Sequence, residues 1–329
     1  MTRWTQARIP DLTGRTAVVT GANSGLGLQT ATQLAAHGAH VVMASRDQGR
    51  ATAAATRIRE AVPRAELEVR LLDLADLTSV REFASAYAER RVGLDILVNN
   101  AGVMAIPHRR TADGFEMQLG TNHLGHFALT GLLLPSLLAR PGARVVTVGS
   151  TAASGGRIDF RDLQRERRYG RWSAYAQSKL ANLLFALELD RRARAAGASL
   201  VSAAAHPGYA ATNLQAAAPR MEHRRLREAM VALANRLFAQ SDVQGALPSL
   251  YAATAADVRG GDYFGPDGLF GQRGYPRRVS PPRRARDAET ARRLWEVSEE
   301  LTGVRYEALP PVAAARAPGR RGARKVVLP

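Results

Sequence analysis

The run Thr16-Ala-Val-Val-Thr-Gly-Ala-Asn-Ser-Gly-Leu-Gly27 decides the fold. Its first five residues are short, apolar and β-branched, and they read as a strand. Thr20 opens a loop in which Gly21, Gly25 and Gly27 are spaced G-x-x-x-G-x-G, and a helical pattern follows over 26–37. Glycines let a backbone turn sharply and come close to a pyrophosphate, which then rests at the positive end of a helix. A glycine-rich turn without a ligand is the plainer alternative. The strand–loop–helix context is what dinucleotide binding requires. Gly21, Asn23, Ser24, Gly25, Leu26 and Gly27 are therefore candidate cofactor-binding residues.

The pattern repeats outward from this loop. Strand candidates follow at Ala39–Ala44, Leu67–Leu72, Asp95–Val98, Arg144–Val148 and Ser199–Ala203, with a short one at Asp262–Phe264. Helical patterns fill the gaps at 48–62, 76–90, 113–138 and 173–196, and later near 219–239, 242–256 and 287–302. Alternation of this kind predicts βαβ units and a parallel sheet covered on both faces. The strands are continuously apolar, as strands buried on both faces should be. The fold class expected is α/β, a doubly wound parallel sheet of Rossmann type in a single domain over 1–309, with a helical substrate-loop region at about 209–240. The segment 265–285, rich in Gly, Pro and Arg, reads as a loop. Residues 310–329 have no periodicity and read as a disordered basic tail.

Composition excludes several classes. The chain has no cysteine, so it has no disulfide, thiolate metal site or cysteine nucleophile. Its net charge of +17 invites a nucleic-acid reading, but the arginines are dispersed and only 6% of residues are aromatic. No specific nucleic-acid partner is expected. The N-terminus has no apolar signal-like core, and Phe127–Ala139 is too short for a membrane span. A cytoplasmic protein is expected, and a homo-oligomer is compatible with it. His123 and His126 stand three apart with no acidic third ligand evident nearby, so no metal is expected.

The end of the second strand should select the cofactor. An acid there suits the 2′-hydroxyl of NAD, and an arginine suits the 2′-phosphate of NADP. The chain has Ser45-Arg46-Asp47. Arg46 favours NADP(H), and Asp47 keeps NAD(H) open.

Tyr175 and Lys179 lie four apart in Ser173-Ala-Tyr-Ala-Gln-Ser-Lys-Leu-Ala-Asn182, on one face of a predicted helix. Of 46 Lys plus Arg, only Lys179 and Lys325 are lysines. A compact ammonium is not interchangeable with a planar guanidinium. Here it is expected to favour the phenolate and draw the tyrosine pKa down from about 10, making Tyr175 a general acid/base.

Four more motifs fall in order: Asp73-Leu74 after the third strand, Asn99-Asn-Ala-Gly102 after the fourth, Asn122 in Thr121-Asn-His-Leu-Gly-His-Phe127, and Ser150 after the fifth. With the glycine loop and Tyr175-x-x-x-Lys179, the chain from residue 14 to about 302 resembles the short-chain dehydrogenase/reductase superfamily. The resemblance implies that Tyr175 passes the proton and Ser150 polarises the substrate oxygen. It implies that Lys179 lowers the Tyr175 pKa and bonds the nicotinamide ribose, and that Asn122 anchors a relay water. Asp73 would bond the adenine, and Asn99, Asn100, Ala101 and Gly102 would line the cofactor cleft, as would Leu74. Pro207 and Gly208 would face the nicotinamide, with Thr212 near its carboxamide.

The insertion Thr151–Ala174, containing Gly155-Gly-Arg-Ile-Asp-Phe-Arg-Asp-Leu-Gln164, is similar to the retinol dehydrogenase, protochlorophyllide reductase and WW-domain oxidoreductase branch. The function so implied is NADP-dependent hydride transfer to or from a carbonyl/alcohol pair on an apolar small molecule. A non-catalytic dinucleotide sensor, or a tailoring epimerase or dehydratase, would use the same fold.

Overall fold

A computed structural model describes residues 3–90, 92–208 and 241–312. Eight strands make one sheet: β1 (Thr16–Thr20), β2 (His40–Ser45), β3 (Leu67–Leu71), β4 (Ile96–Asn99), β5 (Ala143–Val148), β6 (Leu200–Ala205), β7 (Tyr263–Pro266) and β8 (Pro276–Arg278). Their order is β3-β2-β1-β4-β5-β6-β7-β8. All neighbours are parallel except β7 and β8. The strand order reverses between β1 and its two neighbours β2 and β4. That is the switch point at which a doubly wound sheet opens a crevice at its carboxyl edge.

The helices are α1 (Gly25–Ala36), α2 (Gln48–Ala61), α3 (Leu77–Ala88), α4 (Met117–Leu119), α5 (Gly125–Leu132), α6 (Leu134–Leu138), α7 (Arg171–Ala195), α8 (Asp242–Thr254) and α9 (Ala288–Thr302). Side chains alternate across the sheet. Val18, Val42, Leu97 and Val145 enter one core with Phe83, Phe127, Phe185 and Trp295. Ala17, Val19, Val41 and Val98 enter the other with Leu34, Ile58 and Leu250. Both faces of each central strand are dry, which is why the strands read as unbroken apolar runs.

Two expectations are corrected. The helical pattern 113–138 is not one helix. A π-turn over Gly120–Leu124 separates α4 from α5, and Leu133 divides α5 from α6. Close packing forces this path. A Cβ at Gly120 would collide with Thr111, and one at Gly125 with the Leu74 carbonyl. Pro135 then falls in the first turn of α6, where no N–H is needed. The segment 265–285 is not all loop, because it contains β8. Phe264 pairs with Arg278 and Pro266 with Pro276. A three-residue edge strand with Pro and Arg carries no local signal; its partner defines it. The helical pattern near 219–239 lies outside the described residues.

The end of the described chain is anchored. Asp287 caps α9 through the N–H groups of Glu289 and Thr290, and Gly303 closes it in the left-handed conformation. Tyr306 then donates to the Phe127 carbonyl at 2.6 Å, and Leu309 is fully buried. Among the described residues no helix is long and apolar enough to cross a membrane.

Candidate active site

A cavity of about 1300 Å³ runs along the carboxyl edge of the sheet. Its floor begins where β1 meets the glycine loop. Gly21 turns with a positive φ of 66°, and its N–H donates to the Ala44 carbonyl at 2.8 Å. Gly27 lies so close beneath that a Cβ there would strike the Gly21 carbonyl and Asn100. Ser24 caps α1 without a side-chain bond, which leaves the first-turn N–H groups without a side-chain acceptor. Gly21, Asn23, Ser24, Gly25, Leu26 and Gly27 all line the cavity. A tight glycine turn under an open helix N-terminus fits a pyrophosphate.

Thr20 fastens this loop to the next strand. Its Oγ1 accepts from the N–H groups of Asn100 and Ala101, both at 2.9 Å. Asn100 returns a bond from Nδ2 to the Thr20 carbonyl at 2.8 Å. Buried His126 lies 2.9 Å from the same hydroxyl. Asn100 lines the cavity within the stretch expected to do so, and Thr20 lines it without having been singled out as a site residue.

At the β2 end, Ser45, Arg46, Asp73 and Leu74 line the cavity as expected, joined by Asp47, Arg50 and Arg57. Asp47 is engaged within its own helix. It caps α2, accepting from the Arg50 N–H at 2.9 Å, and pairs with the Arg50 Nε. Those bonds hold its carboxyl below the ordinary range. Arg46 is exposed, and among the described residues its guanidinium makes no hydrogen bond. Asp73 forms a tight turn, accepting from the Ala75 N–H at 2.9 Å, while Asp76 caps α3.

Asn99 is a correction. It is buried, its Nδ2 donates to Thr130 at 3.0 Å, and it does not line the cavity. As the last residue of β4 it points into the opposite layer, and its neighbour Asn100 takes the cleft position, with Ala101 and Gly102. Asn122 also stands behind the wall. It is fully buried in the π-turn, accepts from the Val103 N–H at 2.8 Å, and donates to the Val103 carbonyl and Ser178 at 2.9 Å each. A Cβ at Gly102 would press on the Asn122 Oδ1. The asparagine therefore holds the Gly102–Val103 backbone in place, with both amide hydrogens engaged.

The reacting end is built by β5 and α7. Ser150 follows β5, caps a short 3₁₀ turn by accepting from the Ala152 N–H, and hydrogen-bonds the Tyr175 hydroxyl. Tyr175 and Lys179 sit one turn apart on the 25-residue α7, both buried and both lining the cavity. The Lys179 Nζ donates to the Val148 carbonyl at 3.0 Å and lies 5.9 Å from the Tyr175 ring centroid.

The electrostatics differ from the sequence expectation. Burial raises the Tyr175 pKa, and the Ser150 bond opposes this only in part. Burial also lowers Lys179 from its ordinary 10.5 to about 8. Desolvation disfavours the charged form of both groups. Pro207 and Gly208 line the cavity beyond them, whereas Thr212 lies outside the described residues. Val103, Met104 and Trp172 also line it without having been foreseen. Trp172 falls one residue before the predicted helix 173–196, and the structure adds it to the first turn of α7. Among the described residues no cluster of three His, Cys, Asp or Glu side chains stands where a metal ion would need them.

The short chain dehydrogenase family model matches residues 15–223. Human retinol dehydrogenase 12 is 44% identical over 301 residues, covering 90% of this chain and 89% of that protein. Human retinol dehydrogenase 13 is 43% identical, covering 91% and 87%. Among solved structures, an uncharacterized protein from Mycobacterium paratuberculosis is 47% identical, with a TM-score of 0.76, covering 93% of this chain and 99% of that one. A protein from Beutenbergia cavernae, described as an NAD(P)-dependent gluconate 5-dehydrogenase and holding NADP at low occupancy, is 28% identical with a TM-score of 0.57, covering 75% and 92%. This protein is a nicotinamide-dependent oxidoreductase acting on CH–OH/C=O groups, and the chain belongs to the short-chain dehydrogenase family, on its retinol dehydrogenase-like branch.

Proposed function

We propose that this protein interconverts a carbonyl and an alcohol on an apolar small molecule using NADP(H), with Tyr175 as the general acid/base. One observation carries the reading: Ser150, Tyr175 and Lys179 converge at one end of the cavity whose other end is the glycine loop and Arg46. A cofactor bound between them supplies or accepts the hydride. The chain's own groups manage the proton. In the reductive direction Tyr175 holds its hydrogen at neutral pH because burial raises its pKa, so it stands ready to donate to the carbonyl oxygen. Ser150 donates to the same oxygen and stabilises the charge that develops there. Lys179, mostly cationic at pH 7, stabilises the phenolate left on Tyr175.

The cofactor preference rests on the β2 end. Asp47, the acid that directly follows Arg46, is occupied by Arg50, which withdraws the group that would favour NAD. Arg46 is free to meet a 2′-phosphate, and Arg57 adds positive charge to the same wall. The apolar substrate rests on Val103, Met104 and Trp172 in the cavity wall, and on relatives named for retinol, an apolar alcohol.

The test is Tyr175→Phe, assayed by nicotinamide absorbance with a panel of ketones, aldehydes and alcohols. The variant should bind NADPH normally and lose about 10²–10⁴-fold in turnover. Turnover within about threefold of the parent protein would reject the assignment.

A further inference from the structure

We infer that Trp172 is the specificity-determining residue of this site, and that it selects carbonyl compounds whose carbonyl is part of, or bonded directly to, a flat or cyclic ring. The inference rests on the proposed oxidoreductase reading and names the substrate class for it.

The three tryptophans of the chain are placed differently. Trp295 is core, 2% exposed, and packed against Phe127, Phe185 and Tyr306. Trp4 is partly buried with its ring 5.0 Å from that of Tyr251. Trp172 is 62% exposed, and its one ring contact among the described residues is Tyr175. A single exposed tryptophan would not by itself need explaining. This one lines the reaction cavity. It is the second residue of α7, and Tyr175 follows three positions later on the same helix face. Its indole N–H has no partner among the described residues.

The distance limits what the indole can recognise. The Trp172 and Tyr175 ring centroids are 6.1 Å apart with the planes nearly perpendicular, at 81°. A ring bonded to a carbonyl that accepts from the Tyr175 hydroxyl sits beside this pair, where the indole offers it an exposed face. A ring at that position gains an aromatic contact. A linear alkyl chain offers little flat surface there. Aromatic contacts contribute about 0.5–1.5 kcal/mol beyond the area they bury. The discrimination expected is therefore about two- to tenfold.

The experiment compares acetophenone with 2-octanone, ketones of equal carbon number, in the full-length protein with NADPH and its Trp172→Ala and Trp172→Phe variants. Trp172→Ala should raise KM for acetophenone about two- to tenfold more than KM for 2-octanone, and leave kcat for both within about threefold. Trp172→Phe should restore most of the acetophenone KM. Melting temperatures should agree, because the side chain is mostly exposed. A parallel titration follows tryptophan emission. Acetophenone should quench the exposed indole of the parent protein, and Trp172→Phe should lose that quenching. Equal changes in KM for both ketones, or none for either, would overturn the inference and leave the oxidoreductase reading intact. Quenching by acetophenone without turnover of any carbonyl would overturn the catalytic reading and keep Trp172 as the ring-binding group. Neither quenching nor turnover would overturn both.

Discussion

Replacing Lys179 by Met should make the protein more stable and nearly inactive. Lys179 is buried, and its pKa falls from 10.5 to about 8 because water no longer solvates the ammonium. At about 1.36 kcal/mol per pKa unit, the charge costs the folded state about 3 kcal/mol at pH 7. Met has nearly the same length and no charge, so the variant escapes this cost. It forfeits the bond from Nζ to the Val148 carbonyl, worth about 1 kcal/mol. That carbonyl keeps a contact with the Asn182 Nδ2 at 3.4 Å. The net gain is about 2 kcal/mol, or a rise of at least about 3 °C in melting temperature for a chain of this size.

The sign of the pH dependence follows from linkage. The folded pKa is lowered, so the unfolded chain binds more protons between pH 8 and 10.5. The cost is fully present below about pH 8 and disappears as the pH rises to about 10.5. The assay is thermal denaturation of both proteins at pH 7 and at pH 10, with turnover measured at pH 7. The stability gap should favour Lys179→Met at pH 7 and close towards pH 10, while turnover falls at least about 100-fold. A variant less stable at pH 7, or a gap that ignores pH, would refute the burial argument. Retained turnover would refute the assistance given to Tyr175.

Arg46→Ala should weaken NADPH by about 1.5–3 kcal/mol in a fluorescence titration and leave NADH nearly unchanged; equal weakening of both would show that Arg46 does not read the 2′-phosphate. Gly27→Ala forces a Cβ into the Gly21 carbonyl and Asn100, so it should cost about 1–3 kcal/mol of stability and at least about tenfold in NADPH affinity. Normal affinity there would mean that the glycine turn is not the pyrophosphate seat. Carbonyl reduction should decline as the pH rises through about 8, where Lys179 loses its proton, and a flat profile to pH 10 would contradict this.

Much of this protein is legible without coordinates, because its signals are local. Thr16–Thr20 followed by glycines at 21, 25 and 27 needs no tertiary knowledge to be read as strand, turn and helix. A lysine four residues after a tyrosine, in a chain that otherwise uses arginine, marks a position where the shape of the cation matters. The helices predicted from 48, 76 and 287 begin within a residue of where the structure caps them, at Asp47, Asp76 and Asp287.

What only the tertiary structure decided depends on which side of a wall a residue occupies. Asn99 and Asn100 are chemically identical and adjacent, yet one residue of strand period sends the first into the core and the second into the cleft. The break at Gly120–Leu124 arises from Thr111 and Leu74 pressing on glycines distant from them in sequence. β8 exists because β7 lies beside it. The pKa of Tyr175 shows the division most clearly. Sequence spacing supplies the nearby ammonium and so predicts a lower value. Burial opposes ionisation more strongly and raises it. Spacing along a helix fixes how near two charges are, but the amount of water displaced around them is set by the whole fold, and that decides the sign.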